Sequence, residues 1–100
     1  MKMKSTVDVF GMRPELLLAV VIADGIHDKL GYDCILTSAR DGKHSLTSLH
    51  YAGAAVDLRT KHLSGNDALV VTEQIRDALT EDYDVLLEMD HIHIEYQPRR

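Results

Sequence analysis

The sequence predicts an α+β fold, a single small domain with helices packed on a largely antiparallel sheet. Three observations carry that expectation. Two segments show helical start and stop signals, short apolar runs beside them read as strands, and the order is α-β-β-α-β-β. At 100 residues, folding removes only about two thirds of the unfolded chain's surface from water, so residues 1–100 are read as one domain with one modest core.

In RPELLLAVVIADGIHDKLGY, Pro14 stands at a first helical position, Glu15 in the first turn and Gly31 where a helix stops. This predicts a helix over 14–30, apolar on most sides near its start and hence well buried. YDCILTSA follows as a strand, and RDGKHSLTS, with Asp41-Gly42, as a loop. In the next strand, AAVDL, alternation points Val56 and Leu58 to the core and Ala55, Asp57 and Arg59 the other way. In LSGNDALVVTEQIRDALTED, Ser64 is an N-cap with Asp67 three residues on. Ala68, Val71, Ile75 and Ala78 or Leu79 then recur at helical spacing. YDVLLEM and HIHIEYQ are strands joined by a tight hairpin around Met89 and Asp90, with no Asn-Gly or Asp-Gly to specify its turn type.

Composition excludes several classes. With 45% hydrophobic and 27% charged residues the chain is an ordinary globular one rather than disordered. A net charge of −5 and a pI near 5.6 argue against a general nucleic-acid binder, which needs a basic stripe for phosphates. Cys34 is the lone cysteine, so no internal disulfide and no thiolate-rich zinc finger is expected, and it reads as a core residue. The apolar run from Leu16 to Ala23 is too short for a bilayer, which takes about 20 residues, and the N-terminus lacks the pattern of a signal peptide. The expectation is a protein made and folded in a cytoplasm, without membrane insertion and more readily a monomer than an oligomer.

SLHYAGAAVDL, residues 48–58, holds His50 and Asp57 seven positions apart. On one helix that spacing separates their backbones by roughly 10 Å, too far to share an ion whose ligands each sit about 2 Å from it. On one regular strand the odd spacing sends them to opposite faces. Bringing them together therefore requires a turn near Gly53. In DHIHIEY, residues 90–96, His91, His93 and Glu95 alternate and share a face while Ile92 and Ile94 point into the core. Two histidines and a carboxylate are a usual catalytic zinc set, with the fourth position left for water. His27, His44 and His62 have no partner at useful spacing and are read as solvated.

Taken together these residues resemble the paired zinc motifs of the D-alanyl-D-alanine carboxypeptidase-like zinc peptidases. That group also takes in lysostaphin-type endopeptidases, D,D-dipeptidases, phage L-alanyl-D-glutamate endolysins and the hedgehog domain. Its pattern Ser-x-His-x-x-Gly-x-Ala-x-Asp is met at every fixed position by Ser48, His50, Gly53, Ala55 and Asp57, and a His-x-His follows at His91 and His93. The similarity spans roughly residues 37–96. It implies a hedgehog/D,D-peptidase-like fold and a Zn2+ ion held by His50, Asp57 and His93, with His91 off the metal assisting proton transfer or the transition state. Asp90, three before His93, is the favoured general base, and Glu88, three before His91, its rival. Regular alternation turns both away from the metal face, so Asp90 serves only if the hairpin turn brings it back. Arg40 is expected to steady the oxyanion or a substrate carboxylate, with Arg59 a poorer substitute, and Ser48 to orient substrate or brace the zinc shell. The implied activity is zinc-dependent hydrolysis of an amide in peptidoglycan stem or crosslink peptides, of carboxypeptidase or endopeptidase type. The implied origin is a phage or prophage, with release to the cell wall by another factor. A zinc-binding module of the same fold that has lost hydrolysis is the alternative.

Overall fold

The computed structural model describes residues 1–5, 12–40 and 54–98, with the side chains of Arg40 and Ala54 left out of the description. The expected loop at 40–48 begins one residue later than read, since Arg40 ends a strand; its residues 41–48, the turn near Gly53, and Ser48, His44 and His50 lie outside the described residues. Seven elements follow one another: β1 (Lys2–Met3), α1 (Pro14–Lys29), β2 (Ile35–Arg40), β3 (Ala54–Arg59), α2 (Gly65–Ala78), β4 (Tyr83–Leu87) and β5 (His91–Tyr96). The strands form one sheet in the order β1-β2-β3-β5-β4. The β1–β2 pair is parallel and the other three are antiparallel, so the sheet is mixed and the class is α+β. No helix among the described residues is long and apolar enough to cross a membrane.

The helix signals act as their chemistry requires. Pro14 opens α1, where its missing N–H costs nothing, and Gly31 closes it with φ +83°, a left-handed conformation that glycine adopts without Cβ strain. The Gly31 N–H donates to Asp28 O and the Tyr32 N–H to His27 O, each at 3.0 Å, satisfying carbonyls that the helix end would strand. In α2 the Ser64 Oγ accepts from the Asp67 N–H at 3.1 Å, as an N-cap should.

The core lies between the helices and one face of the sheet. Leu16, Val20 and Ala23 of α1 and Val71 and Ile75 of α2 pack with Leu36, Val56, Leu58, Val85, Ile92 and Ile94 of the strands. Cys34 belongs to it too, and burial pushes its thiol up to a pKa of about 12. The start of α1 is less buried than its apolar residues predict: Leu17, Leu18 and Val21 are 45%, 57% and 65% exposed. A helix lying on a sheet covers only its inward stripe, and no layer among the described residues covers the other side.

Three further features differ from the sequence reading. No strand was expected at Lys2–Met3, yet β1 adds a parallel edge beside β2. His27, expected in solvent, is fully buried, because it lies four residues after Ala23 and seven after Val20 on the inward stripe of α1. Its Nδ1–H donates to Ala23 O at 2.8 Å, while Nε2 has no partner among the described residues, and burial holds its pKa below the usual histidine value. His62 is exposed as expected, although its Nε2–H also donates to Asp33 O at 2.7 Å.

Candidate metal centre and adjoining cleft

The face of the sheet away from the helices is built by parity. In the β3–β5 register Asp57 opposes His93, Arg59 opposes His91 and Ala55 opposes Glu95, while Val56 opposes Ile94 and Leu58 opposes Ile92. Burying the Val-Ile and Leu-Ile pairs therefore forces Asp57, His91 and His93 onto the opposite face. Asp57 lies directly across from one histidine and diagonally from the other, the two closest relations available on an antiparallel pair.

Side-chain geometry makes this a compact group. His93 Nδ1–H donates to Asp57 Oδ1 at 2.8 Å, and His91 Nε2 stands 3.7 Å from the same oxygen. Ligand atoms of Asp57, His91 and His93 all lie within 4.8 Å of one another, and all three side chains are partly buried. Ligands about 2.0–2.1 Å from a tetrahedral zinc stand about 3.3 Å apart, a value bracketed by the 2.8 and 3.7 Å separations. The donor set, one carboxylate and two imidazoles, also suits zinc. The three residues thus fit a metal ion in both chemistry and spacing.

Each imidazole has a further carboxylate. His91 Nδ1–H donates to Asp90 Oδ1 at 2.8 Å, and His93 Nε2–H donates to Glu95 Oε1 at 3.0 Å. Burial opposes protonation of His93, but the hydrogen bonds from Glu95 and Asp57 and their charges outweigh it, so its pKa is raised. The raised pKa favours the protonated ring while no metal is bound, and a nitrogen must lose its proton to become a ligand. The hydrogen bond from His91 keeps the Asp90 carboxyl below the usual carboxylate range, and so ionised.

The turn solves the parity problem posed by Asp90. Met89 and Asp90 are its central residues, closed by the Glu88 N–H donating to His91 O at 2.8 Å, and neither has a positive φ, so it is not a primed hairpin turn. Asp90 is pinned by the Thr60 N–H, which donates to its carbonyl at 3.1 Å. Its carboxylate thereby reaches the His91 ring, whereas the exposed Glu88 carboxylate makes no such contact.

Of the residues singled out in the sequence, Asp57, Asp90, His91 and His93 come together here. His91, assigned off the metal by resemblance, has its Nε2 within reach of the same ion as Asp57 and His93. The Arg40 backbone pairs with Ala55 at the far end of β2. What the sequence reading missed is a cleft beside the cluster, lined by Lys4, Thr37, Asp57, Arg59, Lys61, Asp90 and His91. Thr37 enters it at a register shift between Leu36 and Ser38, a local bulge of β2, and its hydroxyl donates to Asp57 O at 3.3 Å. Arg59 was legible in the sequence, two residues beyond Asp57 on the same face. Lys4 was not, because it follows a strand too short to show any alternation.

Comparison of the chain with protein-family models, with curated proteins and with solved structures finds no match.

Proposed function

We propose that the protein is a zinc-dependent peptidase of peptidoglycan stem or crosslink peptides, of phage or prophage origin. The observation that carries this reading is the Asp57, His91 and His93 group, spaced for one ion and backed by the Asp90 carboxylate on His91. The complete Ser48–Asp57 pattern upstream supports it. Asp57 and His93, with His50 from the resemblance, hold the metal. A zinc ion bound there supplies Lewis acidity toward a scissile carbonyl and lowers the pKa of a bound water to about 7.

The chain's own groups do the rest. Asp90, ionised and partly exposed, accepts the proton of the attacking water as the water oxygen bonds the carbonyl carbon. The same proton passes to the leaving nitrogen as the C–N bond breaks. His91, oriented by its Nδ1–H bond to Asp90, presents Nε2 to the site and steadies the developing oxyanion together with Arg40. Ser48 orients the substrate.

One observation favours a second reading. With His91 Nε2 already in range, His50 would make a fourth protein ligand, and four ligands close a site into a structural one. The protein would then be a non-catalytic zinc module. Digestion of purified peptidoglycan with mass analysis of the fragments, with and without chelator, separates the two. The peptidase releases fragments only with metal, and Asp90→Asn abolishes release while zinc binding persists. A module releases nothing and is indifferent to the substitution.

A further inference from the structure

We propose that Glu95 is a positioning residue for the metal centre: it holds the far nitrogen of His93 and so keeps the near one turned toward Asp57. This role rests on the metal-binding part of the reading above, and Glu95 stands outside the motif residues that the resemblance assigns. The sequence alone admits Glu95 as a ligand, because it shares a face with His91 and His93. The structure gives it another place. Ligand atoms of Asp57, His91 and His93 lie within 4.8 Å of one another, and Glu95 is not of that group.

An imidazole carries its two nitrogens on opposite sides of the ring, so only one of them can point at a given ion. His93 Nδ1 stands 2.8 Å from Asp57 Oδ1, while its Nε2–H donates to Glu95 Oε1 at 3.0 Å on the other side. His91 is built the opposite way round: Nε2 stands 3.7 Å from Asp57 Oδ1 and Nδ1–H donates to Asp90 Oδ1 at 2.8 Å. Each histidine thus has a carboxylate behind it, and that carboxylate decides which nitrogen is left for the ion. Among the described residues Glu95 is the hydrogen-bond partner of His93 Nε2. With Glu95 removed, a half-turn about χ2 can put a ring carbon where Nδ1 stood.

Glu95 is itself fixed. Its Oε2 accepts from Gln97 Nε2, and the Gln97 backbone is tied by its own N–H donating to Asp82 O at 2.6 Å. The facing residue on β3 is Ala55, whose short side chain leaves the carboxylate its place beside His93. Glu95 is 25% exposed against 52% for Asp90, so water competes less for the bond that holds His93 than for the one that holds His91. A line of contacts from Asp57 through His93 and Glu95 to Gln97 therefore runs along the outer face of β3 and β5.

The test is zinc titration of metal-free wild type, Glu95→Ala and Glu95→Gln at pH 7.5 against a chromophoric chelator, with two-bond proton–nitrogen NMR of the imidazoles in each zinc-loaded form. Wild type is expected to hold zinc through His93 Nδ1, with Nε2 still carrying its proton. Glu95→Ala should bind zinc about 10–100-fold more weakly and lose the His93 Nε2–H signal to exchange with water. Glu95→Gln retains an acceptor oxygen at that place and should recover part of the affinity together with the signal. A dispersed amide spectrum of each metal-free variant verifies the fold. Zinc held through His93 Nε2 in wild type, or equal affinity in wild type and Glu95→Ala, would overturn the role of Glu95 and leave the metal centre standing. A wild type that takes up no zinc would refute the metal centre, and the role of Glu95 with it. Zinc bound as described by a protein that releases nothing from peptidoglycan would defeat the peptidase reading and leave Glu95 in place.

Discussion

Replacing Asp57 by Asn is the sharpest single perturbation of the metal centre. The substitution keeps the side chain's shape but removes the charge from the one oxygen that stands 2.8 Å from His93 Nδ1 and 3.7 Å from His91 Nε2. A ligand that binds only the native state stabilises it by RT ln(1 + [L]/Kd), about 2.7 kcal/mol when free zinc is 100 times its Kd. For a domain of 100 residues each kcal/mol moves Tm by about 4–8 °C, so zinc should raise the wild-type Tm by about 10–20 °C. If losing the charged oxygen weakens binding about 100-fold, the same zinc stands at its Kd for the variant. The gain then falls to RT ln 2, about 0.4 kcal/mol, or roughly 2–3 °C. The assay is calorimetric melting of metal-free protein and of each zinc-loaded form at pH 7.5. Acid should shrink the wild-type gain, because His93, with its raised pKa, must give up a proton to bind metal. A wild-type Tm that zinc does not move would refute the metal centre, and an equal rise in the Asp57→Asn variant would show that Asp57 is not one of its ligands.

Two other outcomes test the fold beneath the site. Ile94→Ala empties a fully buried position of β5 opposite Val56, and urea denaturation should record a loss of about 2–5 kcal/mol. His27, neutral and buried, has a folded pKa below its unfolded value, so its contribution is intact above about pH 6.5 and lost as pH falls toward the folded pKa. Urea midpoints at pH 7.5 and 5.5 should therefore fall less with acid in His27→Leu than in wild type, and equal falls would contradict the burial of an uncharged imidazole.

The legible parts of this fold were those governed by local rules. Pro14, Gly31 and Ser64 mark helix ends through their own backbone chemistry, and the structure uses each as expected. Alternation in AAVDL and HIHIEY was enough to divide Val56, Leu58, Ile92 and Ile94 from Asp57, His91 and His93. Long-range relations were not legible. Two residues of β1 carry no period, and their parallel partner is 33 positions away, between Lys2 and Ile35. The shift between Leu36 and Ser38 that turns Thr37 toward Asp57 leaves no mark in ILTSAR. The burial of His27 was readable from its spacing to Val20 and Ala23, but imidazole polarity argued for solvent and the stripe prevailed. At Asp90, strand parity stopped one residue too early, since a turn is free to redirect a side chain that a strand is not.

The coupling between core and site follows from the same parity. Sliding β5 by one residue against β3 would carry His91 and His93 to the helix side and bring Ile92 and Ile94 into solvent. Each of those isoleucines is worth about 1.5–3 kcal/mol when fully buried, and an imidazole entering their place would need a partner that the apolar core does not offer. A slip would thus cost several kcal/mol before any loss of metal binding. The cluster needs no stabilising energy of its own to hold its register. That freedom lets the outer face carry close carboxylate–imidazole pairs and, in the cleft beside them, the exposed cations Lys4, Arg59 and Lys61, arrangements that a face responsible for stability would have to neutralise.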